Sequence, residues 1–149
     1  MSRCSKYSKD SYSFTGADTV DLISTHMCKE GDCGYHGNLF GGTMLAWLDE
    51  AAVSYACTLS QTPRMVTVSM DKVEFLKPVR PGQIIKIYGA LIGFGNTSCT
   101  VQIEARRHSA YNGSEKTVCQ TKIKFVRVDG DGEPVPIGAH IKNESIKEP

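Results

Sequence analysis

Between Met44 and Ala56, apolar residues fall on every side that a 3.6-residue helix would present: Met44, Leu45, Trp47, Leu48, Ala51, Ala52, Val53, Tyr55 and Ala56. The run is rich in helix formers and free of proline, and the glycine-containing loop Tyr35-His36-Gly37-Asn38-Leu39-Phe40-Gly41-Gly42 leads into it. This pattern predicts one long helix buried all round. Further along, the period changes to two. Met65, Thr67, Ser69, Asp71, Val73 and Phe75 alternate with Val66, Val68, Met70, Lys72 and Glu74. Gln83 to Ile92 is rich in β formers, with Ile84, Ile85, Ile87, Tyr88, Leu91 and Ile92. Cys99 to Ser109 sets Thr100, Gln102, Glu104 and Arg106 against Val101, Ile103 and Ala105. Lys116 to Val128 sets Val118, Gln120, Lys122 and Lys124 against Thr117, Cys119, Thr121, Ile123 and Phe125. Ahead of the helix, Thr19 to Met27 alternates in part and reads as a first strand.

Short turn-rich pieces join these strands: the Pro corner Lys77-Pro78-Val79-Arg80-Pro81-Gly82, then Gly93 to Ser98, then Tyr111-Asn112-Gly113-Ser114. Consecutive strands on short turns pair antiparallel. The expected fold is α+β, a curved antiparallel sheet of five or six strands wrapped around one long central helix. Residues 1–18 have no period and read as a flexible arm. A single domain over residues 19–137 follows, then a flexible tail over residues 138–149. From Asp129 onward the chain is polar, with Gly130, Gly132, Pro134 and Pro136, and is expected to pack loosely.

Composition narrows the classes. A chain of 149 residues with net charge +1 carries no electrostatic footprint for nucleic acid. No apolar run approaches the roughly 20 residues of a membrane helix. Residues 1–10 lack the apolar centre of a signal peptide, so a cytoplasmic protein is expected. Of the six cysteines, Cys57, Cys99 and Cys119 fall in helix or strand patterns and read as small core hydrophobes. His26, Cys28, Cys33 and His36 resemble a zinc ligand set in type. The Cys-x4-Cys-x2-His spacing is not a standard one and no second pair follows, so no metal is expected.

Candidate chemistry lies in the helix. Asp49 and Glu50 are its only charges, and Leu45, Ala46, Ala52 and Val53 lie one turn from Asp49. A carboxylate so placed needs a partner, a shifted pKa or a function, unless it sits on a narrow solvated strip. Gly41-Gly42 leaves free backbone N–H groups at the helix start, facing uncluttered space. Such an end attracts anions and developing oxyanions. Together these features suggest acyl transfer. Gly42 and Asp49 are seven residues apart, about 10 Å of helix, too far for one carbonyl to touch both. They meet only if two copies of the helix lie antiparallel, which implies a homodimer with shared sites.

Gly37-x-x-Phe40-Gly41-Gly42, followed after six residues by Asp49, resembles the signature of the hotdog-fold acyl-CoA thioesterases, in the cytosolic acyl-CoA hydrolase branch. Phe75-Leu76-Lys77-Pro78-Val79 and Phe125-Val126-x-Val128-Asp129 are similar to that branch too, and the likeness runs from about Thr19 to Ile137. The resemblance implies hydrolysis of acyl-CoA to free acid and CoA, with no cofactor beyond the CoA of the substrate. It implies oxyanion donors at Gly42 and Gly41, Asp49 as base or nucleophile, and Thr67 positioning the base or the water. Phe40, Asn38, Lys77 and the turn Gly95-Asn96-Thr97-Ser98 become candidates for holding substrate and CoA, with Arg64 and Arg80 as further cations. Family members often carry an Asn at the position of Gly34, where it orients water or carbonyl; His36 or Asn38 takes that role here, or the role is absent. A non-catalytic acyl-CoA-binding module is one alternative. A hotdog hydratase or dehydratase is another, disfavoured because it wants a helix His that this chain lacks. His108 reads as a surface residue, and no Gly-x-Ser-x-Gly elbow accompanies it. The minimal unit is a homodimer, with a tetramer or hexamer left open.

Overall fold

The computed structural model describes residues 20–138 and Ile141. The expected arm over residues 1–18 and most of the expected tail over residues 138–149 lie outside the described residues. In chain order the elements are β1 (Asp21–Met27), a single 3-10 turn (Glu30–Asp32), α1 (Gly41–Ser60), β2 (Met65–Phe75), β3 (Ile84–Phe94), β4 (Ser98–His108) and β5 (Glu115–Arg127). The five strands form one sheet in the order β1-β3-β4-β5-β2, with every pairing antiparallel. The alternation after the helix therefore marks four real strands. β3 runs two residues further than its pattern suggested, because Gly93 and Phe94 still pair with Thr100 and Cys99.

One face of α1 packs on the sheet. Met44, Leu48, Ala51, Ala52 and Ala56 are buried, at the three- and four-residue steps of a single helical stripe. They meet Ile85, Ile87, Val101, Ile103, Ala105, Ile123 and Phe125 from the strands, all buried in the same core. Each large aliphatic side chain fully removed from water there contributes about 1.5–3 kcal/mol. The helix is not buried all round, as its composition suggested. Gly42, Ala46, Glu50, Ser54 and Thr58 are exposed, since a single sheet covers only one side of a helix.

Two further expectations are corrected. Thr117 does not share a face with Cys119. The β4–β5 register shifts between Ala105 and Arg106, so Val118 and Cys119 both enter the core and Thr117 donates to Glu104. Around Thr117 the polar side chains of β4 are packed and paired. Arg106 pairs with Glu104 at 3.2 Å and lies 4.3 Å over the Tyr88 ring, while Tyr88 and His108 each bond Glu115. The segment after β5 is not loose. Val128 bridges to Pro134, Ile137 donates its amide to Asn96 O at 2.9 Å, and its side chain is buried. Cys99 and Cys119 are core residues as expected, and burial pushes their thiols up to about 11 and about 12.

Candidate active site

The mouth of α1 is built by the loop before it. Phe40 is the N-cap residue, and no side chain caps the helix. First-turn amides of a helix have no carbonyl one turn below to receive them. Two backbone bonds fix the approach: Leu39 N–H to Val79 O at 2.7 Å and Phe40 N–H to Asp32 O at 3.0 Å. The first ties the loop to the Pro corner, where Gly82 adopts a φ of +87° that a larger residue would resist. At Gly42 an added Cβ would lie 2.8 Å from Phe40 Cε1, so a larger residue there would push the exposed Phe40 ring aside and set its own side chain beside these amides.

Asp49 has a partner. Thr67 Oγ1 donates to its Oδ1 at 2.7 Å, joining the middle of α1 to the start of β2. Asp49 is half-buried and Thr67 is exposed. Gly42 and Asp49 are two helical turns apart and share one side of α1, about 10 Å along the axis.

The single chain separates the candidates into two groups. Phe40, Gly41, Gly42, Asn38 and His36 gather at the helix mouth, near the far end of β2; a Cβ on Gly41 would sit 3.6 Å from Phe75 Cζ. Lys77 follows Phe75 closely and is exposed. Asp49 and Thr67 lie toward the other end of β2. The turn Gly95–Ser98 is at that second end too, because Ser98 pairs with Val126, which pairs with Val66. This turn is rigid: Gly95 N–H donates to Ser98 O, Thr97 O accepts from Arg127 and Asn96 O from Ile137. Arg64 is exposed near the same end, and Arg80 near the mouth.

His36 braces the loop, with its Nδ1 accepting from Asn38 N–H at 3.1 Å. A Cβ at Gly34 would come within 3.2 Å of His36 Nε2 and 3.4 Å of Phe40 Cδ2. Glycine there lets the histidine fold back, and the Cβ of an asparagine would press on the His36 ring. The four-residue zinc constellation does not assemble. Among the described residues no group of three or more His, Cys, Asp or Glu could hold a metal. His26 instead stacks flat on Trp47, with ring centroids 4.5 Å apart and planes at 12°.

The His26–Trp47 stack was not legible in the sequence, and it has a pH consequence. Burial lowers the His26 pKa from 6.5, with Glu50 and Asp32 opposing that shift. The unfolded histidine therefore takes up its proton first as pH falls. Stability from this group is complete above 6.5 and declines below it. Trp47 is the sole tryptophan, so its fluorescence reports the stack directly. Its titration midpoint is expected below 6.5; a midpoint at or above 6.5 would mean that burial does not govern the ring.

No described helix is long and apolar enough to cross a membrane. Comparison with known proteins agrees with the geometry. Residues 36–113 match the Thioesterase superfamily. The chain is 27% identical over 117 residues to the acyl-CoA thioester hydrolase YciA of Escherichia coli (strain K12), covering 76% of this chain and 88% of that protein. It is 33% identical over 116 residues to an uncharacterized acyl-CoA thioester hydrolase of Buchnera aphidicola, covering 76% and 85%. A hexameric hotdog fold thioesterase of Campylobacter jejuni superposes with a TM-score of 0.74 at 33% identity, covering 83% of this chain and 95% of that one. With its helix on a five-stranded antiparallel sheet, this chain has the hotdog fold and belongs to the thioesterase superfamily.

Proposed function

We propose that the protein hydrolyses acyl-CoA thioesters to a free acid and CoA, in sites shared by two copies of the chain. The observation that carries this reading is the Thr67–Asp49 pair, two helical turns from the amides it would work with. One edge of the sheet supports the pairing. β2 is an edge strand, and Val66, Val68, Phe75 and Leu76 are all at least 42% exposed, as is Phe40 at the mouth. An apolar edge strand invites another strand. Antiparallel pairing of β2 with its own copy about a two-fold axis continues the sheet and sets the two α1 helices side by side. Asp49 of one chain then faces the partner's Gly42. The hexameric relative from Campylobacter jejuni is consistent with such assembly, and the dimer is the minimal unit here.

In this site the amide of Gly42, joined by that of Gly41, holds the thioester oxygen as negative charge develops on it. Asp49 removes a proton from water as the water oxygen bonds to the carbonyl carbon. The C–S bond breaks, and the CoA thiolate takes up a proton. Direct attack by Asp49, giving an anhydride that water then opens, uses the same geometry. Thr67 orients the carboxylate. The backbone amides and hydroxyls of Gly95, Asn96, Thr97 and Ser98 lie at the Asp49 end and suit the CoA phosphates. Phe40, Asn38 and Lys77 line the partner's mouth. His36 acts by holding the loop. No cofactor is required, because CoA is part of the substrate. The five described cysteines are free, which suits the expected cytoplasmic setting.

A second reading has one observation in its favour. Gly34 stands where family members often carry an orienting asparagine, which favours a non-catalytic acyl-CoA-binding module. The hydratase reading has less support: α1 contains no histidine, and His26, His36 and His108 are engaged with Trp47, Asn38 and Glu115. Thiol release from a chain-length series of acyl-CoA substrates decides between these readings. Release is expected at one or more lengths, and Thr67→Val is expected to slow it about tenfold, or about 1.4 kcal/mol. No release at any length, alongside quenching of Trp47 fluorescence by CoA, would instead establish a binding module.

A further inference from the structure

We propose that Cys28 and Cys33 form a dithiol site that low-molecular-weight disulfides oxidise reversibly to a Cys28–Cys33 bond, moving the mouth of α1. The two Sγ atoms are 3.8 Å apart, in van der Waals contact. A disulfide bond is about 2.05 Å long, so closure requires a shift of about 1.8 Å. Cys28 is held in place. Its amide donates to Gln83 O at 2.9 Å and its carbonyl accepts from Gly82 at 2.7 Å. Cys33 closes the Glu30–Asp32 turn and is the sulfur that moves.

The position of Cys33 gives that movement a consequence. Cys33 bridges to Leu39, and the carbonyl of its neighbour Asp32 holds the amide of Phe40, the N-cap of α1. Gly41 and Gly42 follow directly. A pull at Cys33 therefore reaches the helix mouth through two backbone links.

The exposures assign the order of steps. Cys33 is half-buried, whereas Cys28 is 1% exposed, so an incoming disulfide meets Cys33 first. The Cys33 thiolate attacks one sulfur of the disulfide, giving a mixed disulfide and releasing one small thiol. The Cys28 sulfur then attacks Cys33 Sγ and expels the second small thiol. The protein loses two electrons and two protons, and the small disulfide gains both. Burial pushes the Cys28 thiol up to about 11, with the Cys33 thiol adding to the shift, so Cys28 is a poor first nucleophile, and its attack on Cys33 Sγ relies on the 3.8 Å approach of the two sulfurs. In a reducing compartment such a bond is transient and responds to redox poise.

The bond itself is independent of the proposed hydrolysis; only its effect on turnover rests on that reading. The test treats full-length protein with oxidised glutathione. Mass spectrometry is expected to show a loss of two mass units and one linked Cys28–Cys33 peptide, reversed by dithiothreitol. The assigned amide resonances of Gly41 and Gly42 are expected to shift with it, and hydrolysis to fall at least about fivefold, since small misplacements at a reacting centre are costly. Cys33→Ser is expected to keep the reduced-state rate within about twofold and to abolish all of these responses. The more exposed residue is chosen because Cys28 variants risk the core. A stable glutathione adduct without the internal bond, or the bond without any shift of the two glycine amides, would overturn the proposal. If even the reduced protein released no thiol, the hydrolase reading would fail, while the mass and resonance results would still decide this one.

Discussion

Asp49→Asn is expected to lower kcat/KM for acyl-CoA hydrolysis at least about a hundredfold, about 2.7 kcal/mol at the transition state, and to leave CoA binding within about twofold. The substitution keeps size and shape, and the amide oxygen still accepts the Thr67 hydroxyl that reaches Asp49 at 2.7 Å. The fold should therefore survive while the base, or nucleophile, is lost. Binding is read from Trp47, two residues from the substitution. The expected result is a slow protein that still quenches on CoA. Hydrolysis within about threefold of wild type would mean that this carboxylate does no chemistry, and that the Thr67 contact merely ties α1 to β2.

Leu48→Ala is expected to cost about 3 kcal/mol of stability. Leu48 is fully buried at the centre of the helix–sheet contact, and its neighbours on that stripe, Ala51, Ala52 and Ala56, are too small to move in behind it. A cavity would remain. For a chain of this size the midpoint of thermal unfolding should fall by about 6–12 °C. Calorimetry or circular dichroism measures it. Leu48 also precedes Asp49, so a loosened seat should weaken the Thr67 contact and lower activity in proportion. A fall of less than about 2 °C would show that the helix does not lean on the sheet at this point.

Which parts of this architecture the sequence disclosed follows from the range of the forces involved. Period-two alternation is local, so Met65–Phe75 was readable as a strand with its bounds. Its place at the edge of the sheet was not, because strand order depends on long-range pairing that leaves no mark on the strand itself. By residue type Thr67 was one that any strand accepts, and only the family resemblance marked it as positioning the base; its bond to Asp49 needs the fold to bring the helix over β2. The stack of His26 on Trp47 joins residues 21 positions apart and has no periodic signature. At Thr117 a bulge broke the alternation, and an extra residue in one strand is invisible to a period count. Ile137 sat in a short stretch broken by prolines and glycines, yet its side chain is buried in the core and its amide bonds Asn96 O. The surplus of apolar residues on α1 misled in an instructive way. It exceeds what one sheet can cover, which the proposed pairing with a second copy would account for.

Subunit exchange between two inactive variants tests the shared site most directly. Asp49→Asn removes the carboxylate. Gly42→Val would place a Cβ 2.8 Å from Phe40 Cε1 and crowd the amide mouth. Each variant alone should be close to inactive. In a random mixture half of the dimers pair the two variants, and each of those rebuilds one complete site and one doubly damaged site. Activity should therefore rise to about a quarter of wild type. If mouth and carboxylate instead served the same site within one chain, every site would keep a defect, and the mixture would remain as inactive as its parts.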